Sequence, residues 1–184
     1  MNEDIDLFLG LLQRATAALG NPYFALPIHG QDLPVYRERV YAYELYHQLR
    51  VIWPNEWGFT VNGEVDKRKH PTIRGYAVRN RIPDLLVHRP GDMGDNLVIL
   101  EVKPVSASVP EIAKDLRKLT AFCRDAKYRL GVLLLFGPER DGTVCVRAKC
   151  CGALERTGRD ADQDLIMVFW QGESSHAAVP IAWD

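Results

Sequence analysis

The fold can be worked out from residues 96–103, which read Asn96-Leu97-Val98-Ile99-Leu100-Glu101-Val102-Lys103. Such a run of apolar and β-branched residues is typical of a β-strand. Successive side chains point to opposite faces of a strand, so Glu101 and Lys103 share one face, and Leu100 and Val102 lie on the other. A buried carboxylate and ammonium are costly unless they are paired. The end of this strand is therefore expected to be a polar site.

A second strand is predicted just upstream, at residues 83–88, Pro83-Asp84-Leu85-Leu86-Val87-His88. Residues 91–95 form a connection of hairpin length, so the two strands are expected to be antiparallel neighbours. The start of the first strand then lies beside the end of the second. This arrangement predicts that Asp84, Glu101 and Lys103 converge at one edge of a sheet.

The flanking segments predict helices around a mixed sheet. Helical spacing of apolar residues predicts helices at residues 4–19, 35–52 and 110–126. The unbroken apolar run 130–136 is typical of a strand that is covered on both faces. Strand, helix and strand in that order predict a right-handed crossover and a parallel pair. Further strands are predicted at residues 59–61, 144–146 and 165–170.

The composition limits the classes of protein to which this chain can belong. The 184 residues are 47% hydrophobic and 26% charged, with a formal net charge of −1, which predicts one globular domain over residues 1–184 and excludes a disordered chain. The longest apolar run has seven residues, and a membrane span needs about twenty. The acidic opening differs from the basic start of a signal peptide. We therefore expect a cytoplasmic protein with no membrane partner.

A basic segment precedes the predicted hairpin. Residues 64–81 carry six basic groups and two acidic ones, so they could form a local patch for a polyanion. Lys67, Arg68 and Lys69 are candidates for phosphate contacts, and His70 is a candidate for contact with a base or sugar. An exposed charged turn would explain the same composition.

The pair Pro83-Asp84, followed after sixteen residues by Glu101-Val102-Lys103, resembles the motif of the PD-(D/E)xK nuclease superfamily. The predicted elements over residues 35–136 (helix, three strands, helix and strand) are similar in order to the core of that family. The resemblance implies an α/β fold, a restriction-endonuclease-like mixed β-sheet flanked by helices. The first helix and the C-terminal strands would be additions to that core.

The same resemblance implies a Mg²⁺-dependent nuclease that hydrolyses phosphodiester bonds, with DNA favoured over RNA as its partner. Asp84, Glu101 and the backbone carbonyl of Val102 would hold Mg²⁺, for which Mn²⁺ could substitute. Lys103 would act on the attacking water or on the charge of the transition state. The motif leaves open whether cleavage is internal or terminal.

Many members of this family also carry a glutamate on the first core helix, facing the metal site. The predicted helix 35–52 offers two. Glu44, at the edge of the apolar face, is the preferred assisting residue, although pairing with neighbouring bases would also explain it. Glu38 lies nearer the centre of that face, but in a first turn, where an acid also has a helix-dipole explanation.

Two other interpretations stay open. A non-catalytic nucleic-acid-binding or assembly module of the same fold, as in a defence or restriction system, would lack hydrolysis. The presence of both acids and the lysine favours the enzyme. A small-molecule or protein-interaction domain would show no effect of divalent metal. A chain of this length could also need a homodimer or a partner subunit to grip a duplex.

Overall fold

The structure is a computed structural model that describes residues 2–63, 82–92 and 94–183. The basic segment 64–81 lies outside the described residues. The roles expected of Lys67, Arg68, Lys69 and His70 therefore stay predictions.

In order along the chain, the described helices and strands are α1 (Glu3–Ala17), α2 (Asn21–Phe24), α3 (Glu38–Ile52), β1 (Thr60–Gly63), β2 (Leu85–His88), β3 (Asn96–Pro104), α4 (Val109–Asp125), β4 (Tyr128–Phe136), α5 (Gly142–Thr157), a single 3₁₀ turn (Gln163–Leu165), β5 (Ile166–Gln171) and β6 (Val179–Ile181). In the described residues three helices come first, then three strands, and helices and strands alternate only from α4 to β5. None of the described helices is both long enough and apolar enough to cross a membrane.

The six strands form one mixed sheet, in the order β1-β2-β3-β4-β5-β6. The pairs β1–β2, β2–β3 and β5–β6 are antiparallel, whereas β3–β4 and β4–β5 are parallel. The predicted antiparallel hairpin and the predicted parallel pair across a helix are both confirmed. So is the class: an α/β protein whose mixed sheet is flanked by helices.

Alternate residues of β3 belong to two different cores. Val98, Leu100 and Val102 pack in the core that contains α1 and α3, whereas Ile99 packs in the core that contains α4 and α5. Glu101 and Lys103 follow Ile99 at intervals of two. The strand period therefore directs these two side chains towards α4.

Helix α4 packs closely against the sheet. Its first turn is fixed by Ser108, whose N–H and hydroxyl both donate to Glu111 Oε2, at 2.8 and 2.7 Å. Further along, a Cβ atom at Gly131 of β4 would lie 3.1 Å from the Cβ of Leu119. Glycine at this position lets the helix pack here without displacing Leu119, and the polar residues of α4 reach the end of β3.

The C-terminal third differs from its prediction. The strand predicted at residues 144–146 is wrong, because these residues lie inside α5. Three alternating residues satisfy a strand pattern by chance. The helical pattern appears only over a longer span, in which Val146, Cys150 and Ala153 are buried at helical spacing. The strand predicted at residues 165–170 is confirmed as β5, whereas α2 and β6 were not predicted.

A fully buried glutamine joins three parts of the chain. The Tyr41 hydroxyl of α3 donates to Gln171 Oε1. Gln171 Nε2 donates to the carbonyls of Thr16 and His176, both at 2.9 Å. Both ends of the buried amide are therefore hydrogen-bonded, which removes most of the cost of burying it.

Replacement of Tyr41 by phenylalanine leaves Gln171 Oε1 buried without its donor. We expect Tyr41→Phe to lower the free energy of unfolding by about 1–3 kcal/mol. Tyr43→Phe, on the same helix, removes an exposed hydroxyl and should change it by less than about 0.5 kcal/mol. Urea denaturation in EDTA measures both values. Equal losses in the two variants would contradict a structural role for this hydrogen bond.

Candidate active site

The β2–β3 hairpin places Asp84 beside Glu101. Leu85 pairs with Leu100 in the antiparallel ladder, so the next residue outward on each strand is one of the two acids. Asp84 Oδ2 accepts a hydrogen bond of 2.8 Å from the Val102 N–H. The Val102 N–H lies just beyond the end of the ladder, where the Asp84 side chain accepts its hydrogen bond. This bond fixes the Asp84 carboxylate against β3.

Glu101 is a buried carboxylate, with 1% of its surface exposed. Lys118 Nζ of α4 lies 2.6 Å from Glu101 Oε1, although this ion pair lacks the angles of a hydrogen bond. Burial raises the pKa of Glu101 well above its usual value, the charge of Asp84 raises it further, and Lys118 acts in the opposite direction. Lys118 thus compensates the buried charge only in part.

Lys103 joins the two helices that flank the end of β3. Its Nζ donates to Glu38 Oε2 of α3 at 2.5 Å and lies 3.6 Å from Asp115 Oδ2 of α4. Burial alone would lower the pKa of Lys103, but the hydrogen bond to Glu38 and the charge of Asp115 outweigh it and raise the pKa. Lys103 is therefore a firmly protonated cation held between two acids.

Asp115 and Lys118 were missed by the sequence analysis. Asp115 is only 4% exposed, and its Oδ2 accepts no hydrogen bond from the described residues. Burial raises its pKa, and Lys103 and Lys118 oppose this effect. A signal was present, because Asp115 interrupts the stripe formed by Ile112, Leu116 and Leu119. An acid within an apolar helix face is costly unless it is paired.

These side chains line one cleft of about 310 Å³ between α3, α4 and the ends of β2 and β3. Four acidic residues (Glu38, Asp84, Glu101 and Asp115) face four basic ones (Arg39, Lys103, Lys114 and Lys118). Two larger cavities, of about 590 and 620 Å³, are lined by no lysine or arginine among the described residues. Size alone therefore does not identify the site; the concentration of buried charge does.

The two candidate glutamates of helix α3 differ in their position relative to the cleft. Glu38 lines the cleft and contacts Lys103, as described above. Glu44 does not line it, and its Oε1 accepts a hydrogen bond of 2.7 Å from Gln48 Nε2. The placement therefore favours Glu38 as the assisting residue, whereas the sequence pattern favoured Glu44. Val102 is positioned through its N–H, and the ligand role of its carbonyl stays a prediction.

The donor atoms suit a hard divalent cation. No three Asp, Glu, His or Cys side chains in the described ranges form a metal-binding group. The hairpin places the carboxylates of Asp84 and Glu101 side by side, and Mg²⁺ is commonly bound through one or two carboxylates while it keeps several waters. Glu101 Oε1 is buried, and the ammonium of Lys118 lies 2.6 Å from it. Such an oxygen fits a cation ligand.

Comparison of the chain with protein-family models, with curated proteins and with solved structures gives no match. The chemistry of the cleft must therefore carry the functional assignment.

Glu38→Gln should lower the pKa of Lys103, because the variant loses the charged hydrogen-bond partner that raises it. Glu44→Gln, on the same helix, should leave this pKa unchanged. A ¹³C NMR titration of the lysine Cε signals measures both. Equal changes in the pKa of Lys103 in the two variants would mean that Glu38 has no specific role beside Lys103.

The pKa of Asp84 makes stability depend on pH. Burial raises this pKa to about 6, from about 3.9 in an unfolded chain. Between these values the native state binds more protons than the unfolded state. The free energy of unfolding therefore falls as pH rises from about 4 to about 6, and the whole penalty is present above that range.

Asp84→Asn removes this penalty. In EDTA we expect it to be more stable than the parent at neutral pH by about 1–3 kcal/mol, with little difference near pH 4. Asp164→Asn, at an exposed position, is the matched control and should change neither value. Urea denaturation at both pH values measures the effect. An Asp84→Asn variant less stable than the parent at neutral pH would mean that this carboxylate is purely structural.

Proposed function

We propose that this chain is a metal-dependent nuclease that hydrolyses phosphodiester bonds in nucleic acid, DNA in preference to RNA. The observation that carries the proposal is the pairing of Asp84 with Glu101 at the ends of two adjacent strands, with Lys103 in the same cleft. The order α3, β1, β2, β3, α4, β4 also supports a restriction-endonuclease-like core of the PD-(D/E)xK type.

Asp84 and Glu101 would hold Mg²⁺ or Mn²⁺, which supplies a bound water of lowered pKa and positive charge at the phosphoryl oxygens. Their own contribution is a pair of carboxylates that are fixed before the metal binds. Asp84 is fixed by the Val102 N–H, and Glu101 is fixed by its burial in β3. Little reorganisation is then needed when the substrate arrives.

Lys103 would stabilise negative charge on the phosphate in the transition state. Its raised pKa argues against a role as general base, because a base must release its proton near the working pH. A protonated ammonium held between Glu38 and Asp115 instead offers a fixed hydrogen-bond donor. Glu38 and Asp115 are positioning residues in this scheme.

The charge of the cleft supports a polyanionic substrate only when a cation is added. Among the described residues, the four acidic and four basic side chains of the cleft balance in formal charge, so a bound divalent cation adds two positive charges to it. Gly63 and Ile82, which flank segment 64–81 in the chain, line the same cleft. Lys67, Arg68, Lys69 and His70 would then reach the nucleic acid from a segment that begins and ends at the site.

Metal binding and cleavage can be tested separately. Mg²⁺ should raise the melting temperature of the parent, because a ligand that binds only the native state stabilises it. Asp84→Asn and Glu101→Gln should lose this rise and all cleavage of a labelled oligonucleotide. Crystals soaked in Mn²⁺ should show an anomalous peak between the two acids. A parent whose melting temperature ignores divalent metal would overturn the proposal.

Lys103→Gln should keep the metal-induced rise in melting temperature and lose cleavage by at least about 100-fold. Lys127→Gln is its matched control, since Lys127 lies beside the start of β4, at the opposite end of the sheet, and should cleave normally. Metal binding without cleavage in the parent would instead indicate a non-catalytic module of the same fold.

A further inference from the structure

We infer that the cleft takes a single nucleic-acid strand, not an intact duplex, and that Tyr43 of α3 stacks on a base of that strand at its mouth. This inference rests on the proposed function and narrows its substrate. It follows from the depth of the carboxylates, from the exposed aromatic ring beside them and from the bases on either side.

Two of the carboxylates that line the cleft are recessed. Glu101 and Asp115 are 1% and 4% exposed, at the base of a cleft of about 310 Å³. This volume is at the lower end of the range for small-ligand sites, about 300–1,000 Å³. A duplex is stiff, with a persistence length of about 150 base pairs, whereas a single strand can bend one phosphate into the cleft.

Tyr43 supplies a flat surface at the mouth of the cleft. It is 56% exposed and lines the cleft together with Arg39 and Tyr46. These residues recur at helical spacing, so they form one face of α3. Single exposed apolar residues are ordinary on a protein surface. The position of Tyr43 above a recessed charged site is what indicates stacking, because every unpaired base offers a π-face.

The other cleft residues complete a groove for one strand. Tyr46 is half-buried against the core of α1 and α3, so it forms a fixed wall beside Tyr43. Arg39 on α3 and Lys114 on α4 are both exposed and line the cleft from two different helices. A basic groove with a stacking aromatic side chain is the usual arrangement for binding a single strand without sequence preference. A duplex hides its base faces and cannot use Tyr43.

The test measures binding by fluorescence anisotropy in Ca²⁺, an oxygen-seeking cation used here in place of Mg²⁺. The probes are a labelled oligothymidylate of about 12 nucleotides, within known site sizes of about 4–16, and a duplex of the same length. The parent should bind the single strand at least about tenfold more tightly than the duplex. Tyr43→Ala should weaken single-strand binding by about 5- to 100-fold, and Tyr43→Trp should restore it.

Tyr23→Ala is the matched control, because Tyr23 is 46% exposed and does not line the cleft. It should bind both probes as the parent does. Lys114→Gln should reduce the slope of the salt dependence by about one unit, and Lys127→Gln should not. Circular dichroism melts establish that each variant is folded.

The outcomes separate this inference from the nuclease proposal. Equal or tighter binding of the duplex, unchanged binding by Tyr43→Ala, or an equal loss in Tyr23→Ala would overturn the inference and leave the nuclease proposal standing. A parent that binds neither probe, with or without Ca²⁺, would overturn both. A single-strand preference that depends on an aromatic ring at position 43 would support both.

Discussion

Burial of Glu101 is the constraint around which this molecule is organised. The residue lies in β3, which has a paired strand on each side and a helical layer over each face. Removing a carboxylate from water costs several kcal/mol, so the surroundings must either supply a cation or leave the group protonated. Helix α4 supplies Lys118, and its close approach at Gly131 brings that lysine within 2.6 Å.

The cluster of charged side chains around Glu101 would be a poor arrangement if it served only to stabilise the fold. Asp84 and Asp115 raise the pKa of the already buried Glu101, and Lys118 cancels only part of the effect. Apolar residues of similar volume would often stabilise such a position as well or better. Structural ion-pair networks also perturb pKa values. Here, however, the charges open onto a cleft, and two carboxylate oxygens lack a hydrogen bond within the described chain. Both features favour a functional site.

The part of the site that depends on strand geometry could be predicted from the sequence. Asp84 and Glu101 meet because a short hairpin fixes the register and a period of two fixes the face. The helix residues could not be placed in this way. Choosing Glu38 over Glu44 requires knowing where α3 begins and how it crosses the sheet. Lys118 reaches Glu101 only through the packing of α4, which helical periodicity alone does not specify.

The charges of the cleft also couple the binding of the cation to the binding of the nucleic acid. If a divalent cation and a nucleic acid both bind there, each changes the affinity of the other by the same factor, because the coupling is a property of the complex. A bound cation adds positive charge beside the cleft acids and so favours phosphate, and bound phosphate offers the cation further oxygen ligands. Before a cation binds, Lys118 supplies positive charge beside Glu101. Whichever partner binds first therefore makes the cleft a better site for the other.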